Sequence, residues 1–71
     1  MTLDEMNARF RVIEDMWKVG SAEEQEEYLA ELTEMKLELA KISGPEADGA
    51  VWLRRTVDRL SRNISVEQAR L

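Results

Sequence analysis

Apolar residues recur along this chain at alternating steps of three and four, in three runs separated by short polar breaks. The first run is Leu3, Met6, Phe10, Ile13 and Trp17. The second is Tyr28, Leu32, Met35, Leu39 and Ile42, and the third is Ala50, Leu53, Val57, Leu60 and Ile64. Steps of three and four return to one face of a helix, so each run predicts an amphipathic helix with a single buried seam. The expected spans within the single domain 1–71 are about 3–18, 22–42 and 46–63. Residues 66–71 are expected to form a short last helix or a frayed continuation of the third.

The breaks have the chemistry of helix ends. Thr2 with Glu5, Ser21 with Glu24, Ser43 with Glu46 and Ser65 with Gln68 each match the capping-box pattern. In that pattern a hydroxyl accepts a backbone N–H while the acid or amide three residues on reaches back. Gly20 is expected to stop the first helix in a left-handed conformation, with Lys18 suited to its last turn. Gly44 suits the end of the second helix and Pro45 the first turn of the third. Asp48 beside Gly49 offers a later start, which would leave 43–48 as a loop. Between the first two helices the link is only two or three residues, which forces an antiparallel hairpin.

The fold expected is therefore all-α, a small antiparallel three-helix bundle. The competing arrangement is a helical hairpin that dimerises into a four-helix core, with the third helix docked on the partner. A chain of 71 residues buries a modest core, so association with a second copy is a natural aid to stability. Cysteine and histidine are both absent. That removes disulfides, thiolate metal sites, the commonest zinc ligand and the usual acid–base catalyst. No apolar run approaches membrane-spanning length and the N-terminus lacks a basic-then-apolar leader, so a soluble cytoplasmic protein without a membrane partner is expected.

Charge changes the picture further. The net charge is −5. Residues 1–42 hold eleven acids and five bases, while residues 43–71 hold four acids and five arginines. Two stripes stand out at helical spacing. Glu27, Glu31, Glu34 and Glu38 flank the second seam, and Trp52, Arg55, Arg59 and Arg62 lie behind the third. The glutamates border the seam instead of filling it and have no histidine to complete a di-iron pattern. They read as a solvated acidic face or a partner surface, with no metal or cofactor implied. Arginines one turn apart present planar donor forks to carboxylates or phosphates, and an adjacent indole can anchor a partner. Trp52 has a second reading, in which the first turn of the third helix bends against Trp17 or Met16 and buries the ring.

The serines at 21, 43 and 65 are expected to serve as caps and Tyr28 as a core-edge residue, so no activated nucleophile is expected and the chain is not expected to be an enzyme. No family signature is legible. The expected function is a non-enzymatic protein-interaction module, a small acidic adaptor or inhibitor that binds another protein. One candidate target is the basic groove of a nucleic-acid-handling complex. A dimeric nucleic-acid-binding regulator using the arginines is an alternative that the acidic net charge disfavours. An assembly component, homodimeric or larger, is the third. The two stripes are complementary in sign, and whether they meet within one chain or face separate partners stays open at this point.

Overall fold

Three helices form a rod of about 41 × 17 × 15 Å in a computed structural model that describes residues 1–70. They are α1 (Leu3–Met16), α2 (Ala22–Leu39) and α3 (Ala47–Ala69). Short 3₁₀ turns at Trp17–Val19 and Gly44–Glu46 join them. Pairings near both ends set the directions. Arg9 meets Glu31 and Trp17 meets Gln25, so α1 and α2 are antiparallel. Lys36 meets Asp58 and Ala22 meets Gln68, so α2 and α3 are antiparallel as well. The expected three-helix bundle is what forms, with α1 and α3 running in the same direction.

The seams close on one another as the spacing predicts. Met6, Phe10, Ile13 and Trp17 of the first run are buried, together with Leu32, Met35 and Leu39 of the second. All of Ala50, Leu53, Val57, Leu60 and Ile64 of the third join them. Leu3, Tyr28, Leu29 and Ile42 pack at the edge of this core. Each fully buried aliphatic side chain contributes about 1.5–3 kcal/mol by leaving water. That burial offsets the backbone entropy of ordering a chain with no covalent staple.

The helix ends depart from the sequence reading in four places. First, α1 stops at Met16, and the reversal is made by the 3₁₀ turn with Gly20 in extended backbone (φ −78°, ψ 155°). Gly20 is thus no left-handed cap. Its N–H donates to the carbonyl of Trp17 at 3.2 Å, and Ser21 starts α2 directly afterwards. Second, α2 ends at Leu39, not at residue 42. The N–H groups of Lys41 and Ile42 bond three residues back, to Glu38 and Leu39, which tightens the final turn.

Third, the Ser43–Glu46 box does not form, because Ser43 makes no side-chain cap. Gly44 at φ 79° turns the chain and Pro45 follows inside a 3₁₀ turn, so α3 begins at Ala47, one residue after the expected start. Fourth, Ser65 starts nothing. α3 passes through Asn63 and Ser65 without a break, as the intrahelical ladder outweighs a local cap where no glycine or proline interrupts. Residues 66–69 therefore continue α3, and Leu71, included in the expected last helix, lies outside the described residues. The boxes at Thr2 and Ser21 form fully.

Candidate functional site

The glutamate stripe is divided by its neighbours. Glu31 is drawn into a two-pronged ion pair across the α1–α2 seam. Arg9 Nε donates to Oε2 at 2.6 Å and Nη2 to Oε1 at 2.7 Å. This pairing holds the Glu31 carboxyl below the usual carboxylate range and raises the Arg9 guanidinium further. Glu38 is bridged at 3.6 Å to Lys41, in the turn just past the end of α2. Glu27 and Glu34 are exposed and, among the described residues, make no ion pair. Leu37 stands beside Glu34, 63% exposed. It borders both the α1–α2 groove, with Glu34 and Glu38, and the α2–α3 groove, with Ala40 and Val51. Leu37 therefore marks the crest of α2.

The Arg9–Glu31 pair was accessible to sequence reasoning. A turn at residues 20–21 fixes the hairpin register, and that register sets position 9 opposite position 31 or 32. Gln25 belongs to the same register. It is buried at 8% exposure, and its Nε2 donates to the Trp17 carbonyl at 3.0 Å. It occupies the seam position three residues before Tyr28, where a search for apolar residues passes over it.

The α2–α3 contact is held by a cluster centred on Asp58. Lys36 Nζ lies 3.4 Å from Asp58 Oδ1, and Arg62 donates to Oδ2 one turn along α3. These bonds, that from Lys36 first, hold the Asp58 carboxyl below its ordinary range. One of the three arginines singled out from sequence is thus engaged locally, as the i, i+4 spacing from Asp58 allows.

Trp52 is exposed at 65%, and Val51 beside it at 51%. The indole does not bend against Trp17 or Met16, and the buried reading is overturned. Trp52 instead lies along the α1–α3 groove with Asn7, Phe10, Glu14 and Thr56. Within α3, residue 52 lies about 100° round the helix from the seam residue Leu53, and the helix places it well away from the α1–α2 turn. Arg55 borders the groove with α2. Arg55 and Arg59 are exposed and, among the described residues, have no carboxylate within 4 Å. The crest of α3 is accordingly an exposed aromatic followed by free guanidinium groups.

The two stripes do not pair within the chain. Glu31, Glu34 and Glu38 border α1 on one side of the bundle, and Trp52 borders α1 on the other. Among the described residues no group of three or more acidic side chains has a geometry that would hold a metal ion, and no helix is long and apolar enough to cross a membrane. Comparisons with protein-family models, curated proteins and solved structures gave no match to this chain.

Proposed function

We propose that this chain is a non-enzymatic protein-interaction module that docks a partner through the crest of α3, with Trp52 as the anchor. The observation behind this reading is the exposed indole of Trp52 next to Val51 and to two arginines with no internal partner. Tryptophan and arginine dominate the binding energy of protein interfaces, because a large ring removed from water is ringed by directional donors. Here neither is needed for the fold. The core closes without Trp52, and Arg55 and Arg59 stabilise no other element by an ion pair. Free guanidinium forks select carboxylates, so the partner surface is acidic around an apolar patch.

An adaptor or inhibitor of this kind works by occupying a surface, with no bond made or broken. The exposed Glu27 and Glu34 on α2 offer a second surface, suited to a basic groove such as that of a nucleic-acid-handling complex. Direct binding of nucleic acid through the arginines is the weaker reading, since a net charge of −5 opposes long-range attraction to phosphates.

The test is affinity capture from the native cell with wild type, Trp52→Ala and Arg55→Glu/Arg59→Glu as parallel baits, with nucleic acid recovered from the same eluates. The expected result is a protein retained by wild type and lost by both variants, each with unchanged helical circular dichroism. Retention by all three baits would sink this reading. Nucleic acid lost on Arg→Glu but kept on Trp52→Ala would favour the regulator instead.

A further inference from the structure

We infer that the groove between α2 and α3 docks an acidic amphipathic helix supplied by another protein. The inference goes beyond the reading above, because the groove shares Val51 and Arg55 with the crest of α3 but does not need Trp52. Its volume is about 570 Å³. Leu37 and Ala40 stand on its α2 wall and Val51 on its α3 wall. Leu37 is 63% exposed and Val51 51%, so two of the larger apolar side chains left in water face each other across one groove.

Charge selects the occupant. On a molecule of net charge −5, this groove is lined by three cations, Lys36, Arg54 and Arg55, against the single carboxylate of Asp58. Asp58 is already held by Lys36 and Arg62. Arg54 and Arg55 have, among the described residues, no carboxylate within 4 Å. The other two grooves carry the opposite sign. Between α1 and α2 four glutamates stand with Arg9 and Lys41, and between α1 and α3 Glu14 and Asp15 stand with Arg11. A segment bearing carboxylates is therefore favoured in the α2–α3 groove, where the guanidinium groups offer it planar donor forks. The net charge repels such a segment at long range, and salt screens that repulsion beyond about 8–10 Å, so recognition is made at contact.

Geometry selects the form. The Lys36–Asp58 and Ala22–Gln68 contacts fix the register of the two antiparallel helices. That register sets Leu37 roughly level with Arg55, about one helical turn along the groove from Val51. Two apolar residues spaced i, i+4 on an incoming helix therefore meet Leu37 on one wall and Val51 on the other. Thr33 and Ala40, short side chains of the α2 wall, let that helix approach closely. Carboxylates beside its apolar pair then reach Arg54 and Arg55. A helix also satisfies its own backbone, which matters because the walls are themselves helices with their hydrogen bonds closed internally. The outcome is a fourth helix laid along the bundle.

Titration of the isotope-labelled intact chain with synthetic helical peptides, followed by amide nuclear magnetic resonance shifts, tests this. The peptides are about 16 residues long, enough to hold a helix. Each carries Leu, Met or Phe at positions i and i+4 with glutamates on both flanks, and control peptides carry lysine in place of glutamate. The glutamate peptides are expected to give saturable shifts at Thr33, Leu37, Ala40 and Val51, and the lysine peptides none. Arg54→Glu/Arg55→Glu and Leu37→Ser are each expected to bind at least about tenfold more weakly, with helical circular dichroism unchanged. Trp52→Ala is expected to bind the peptides as wild type does. No saturable shift with any glutamate peptide, shifts centred elsewhere, equal binding of the lysine peptides, or groove variants that bind like wild type would each overturn the inference. Binding lost on Trp52→Ala but kept by the groove variants would overturn it too, and would leave the crest of α3 as the docking surface.

Discussion

Trp17 and Trp52 are the same residue in opposite surroundings. Trp17 is 6% exposed at the α1–α2 turn, where its carbonyl accepts from both Gly20 N–H and Gln25 Nε2. Lys18 Nζ sits 5.8 Å from the centre of its ring. Trp52 is 65% exposed on the crest of α3, and the side-chain bond its carbonyl accepts, from Thr56 Oγ1, is local to that helix. Backbone, ring and neighbours all commit Trp17 to the fold, whereas Trp52 is held by its helix alone. A large apolar side chain left in water by an otherwise well-closed seam contributes little to holding the core together.

The largest expected effect separates the two rings directly. Trp17→Ala removes a buried aromatic and is expected to destabilise by about 3–5 kcal/mol. A single-core domain of this size rarely has more than about 3–5 kcal/mol in total. Thermal circular dichroism should then show a chain largely unfolded at room temperature. Next is Gln25→Ala, expected to lower stability by about 1–3 kcal/mol through a lost bond to Trp17 and a small cavity. Gln25 Oε1 is buried without a partner. Gln25→Met keeps the shape and removes that oxygen, so a chemical-denaturation midpoint closer to wild type is expected. Equal losses for the two variants would mean that the lost bond to the Trp17 carbonyl, which neither side chain can make, outweighs the cavity.

Glu31→Gln probes the pair that fixes the hairpin beside Trp17. Both side chains are roughly two-fifths exposed, so the loss at neutral pH is expected to be about 0.5–1 kcal/mol. The folded Glu31 carboxyl titrates below its unfolded value. Its stabilisation is therefore complete above the unfolded value, about 4.3, and fades as pH falls through the folded value. Denaturation of wild type and Glu31→Gln should converge in acid, and a gap that stays constant to low pH would show that the pair is not responsible. The smallest effect on stability is expected for Trp52→Ala, within about 0.5 kcal/mol. A melting temperature that falls as it does for Trp17→Ala would return the Trp52 ring to the core.

The core was legible in the sequence almost residue for residue. Met6, Phe10 and Ile13 on α1 and the whole Ala50–Ile64 seam of α3 follow from step pattern alone, because burial of one helix face is a repeating constraint. Helix ends were less legible. Ser21 and Ser65 carry equivalent capping patterns, yet only Ser21 follows a turn that has already left the helix. A cap can close an end but cannot create one inside a continuous ladder. Of the candidate surfaces, the exposure of Glu27, Glu34, Arg55 and Arg59 follows from their angle to the seam. The engagement of Glu31 with Arg9, and of Asp58 with Lys36, depends on register between helices, which a single-helix pattern does not contain. Gln25 escaped because it is a polar residue in an apolar position.

The length of α3 beyond its seam also has a kinetic side. Its last buried residue is Ile64, yet the hydrogen-bond ladder runs on to Ala69. Past Ile64 a side-chain bond from Gln68 Nε2 to the Ala22 carbonyl, 3.2 Å long, reaches back to the bundle. One uninterrupted helix therefore contains two lifetimes. Amides near Val57 trade hydrogen with solvent only when the whole bundle opens, while those of residues 65–69 trade through brief unwinding of the last turns.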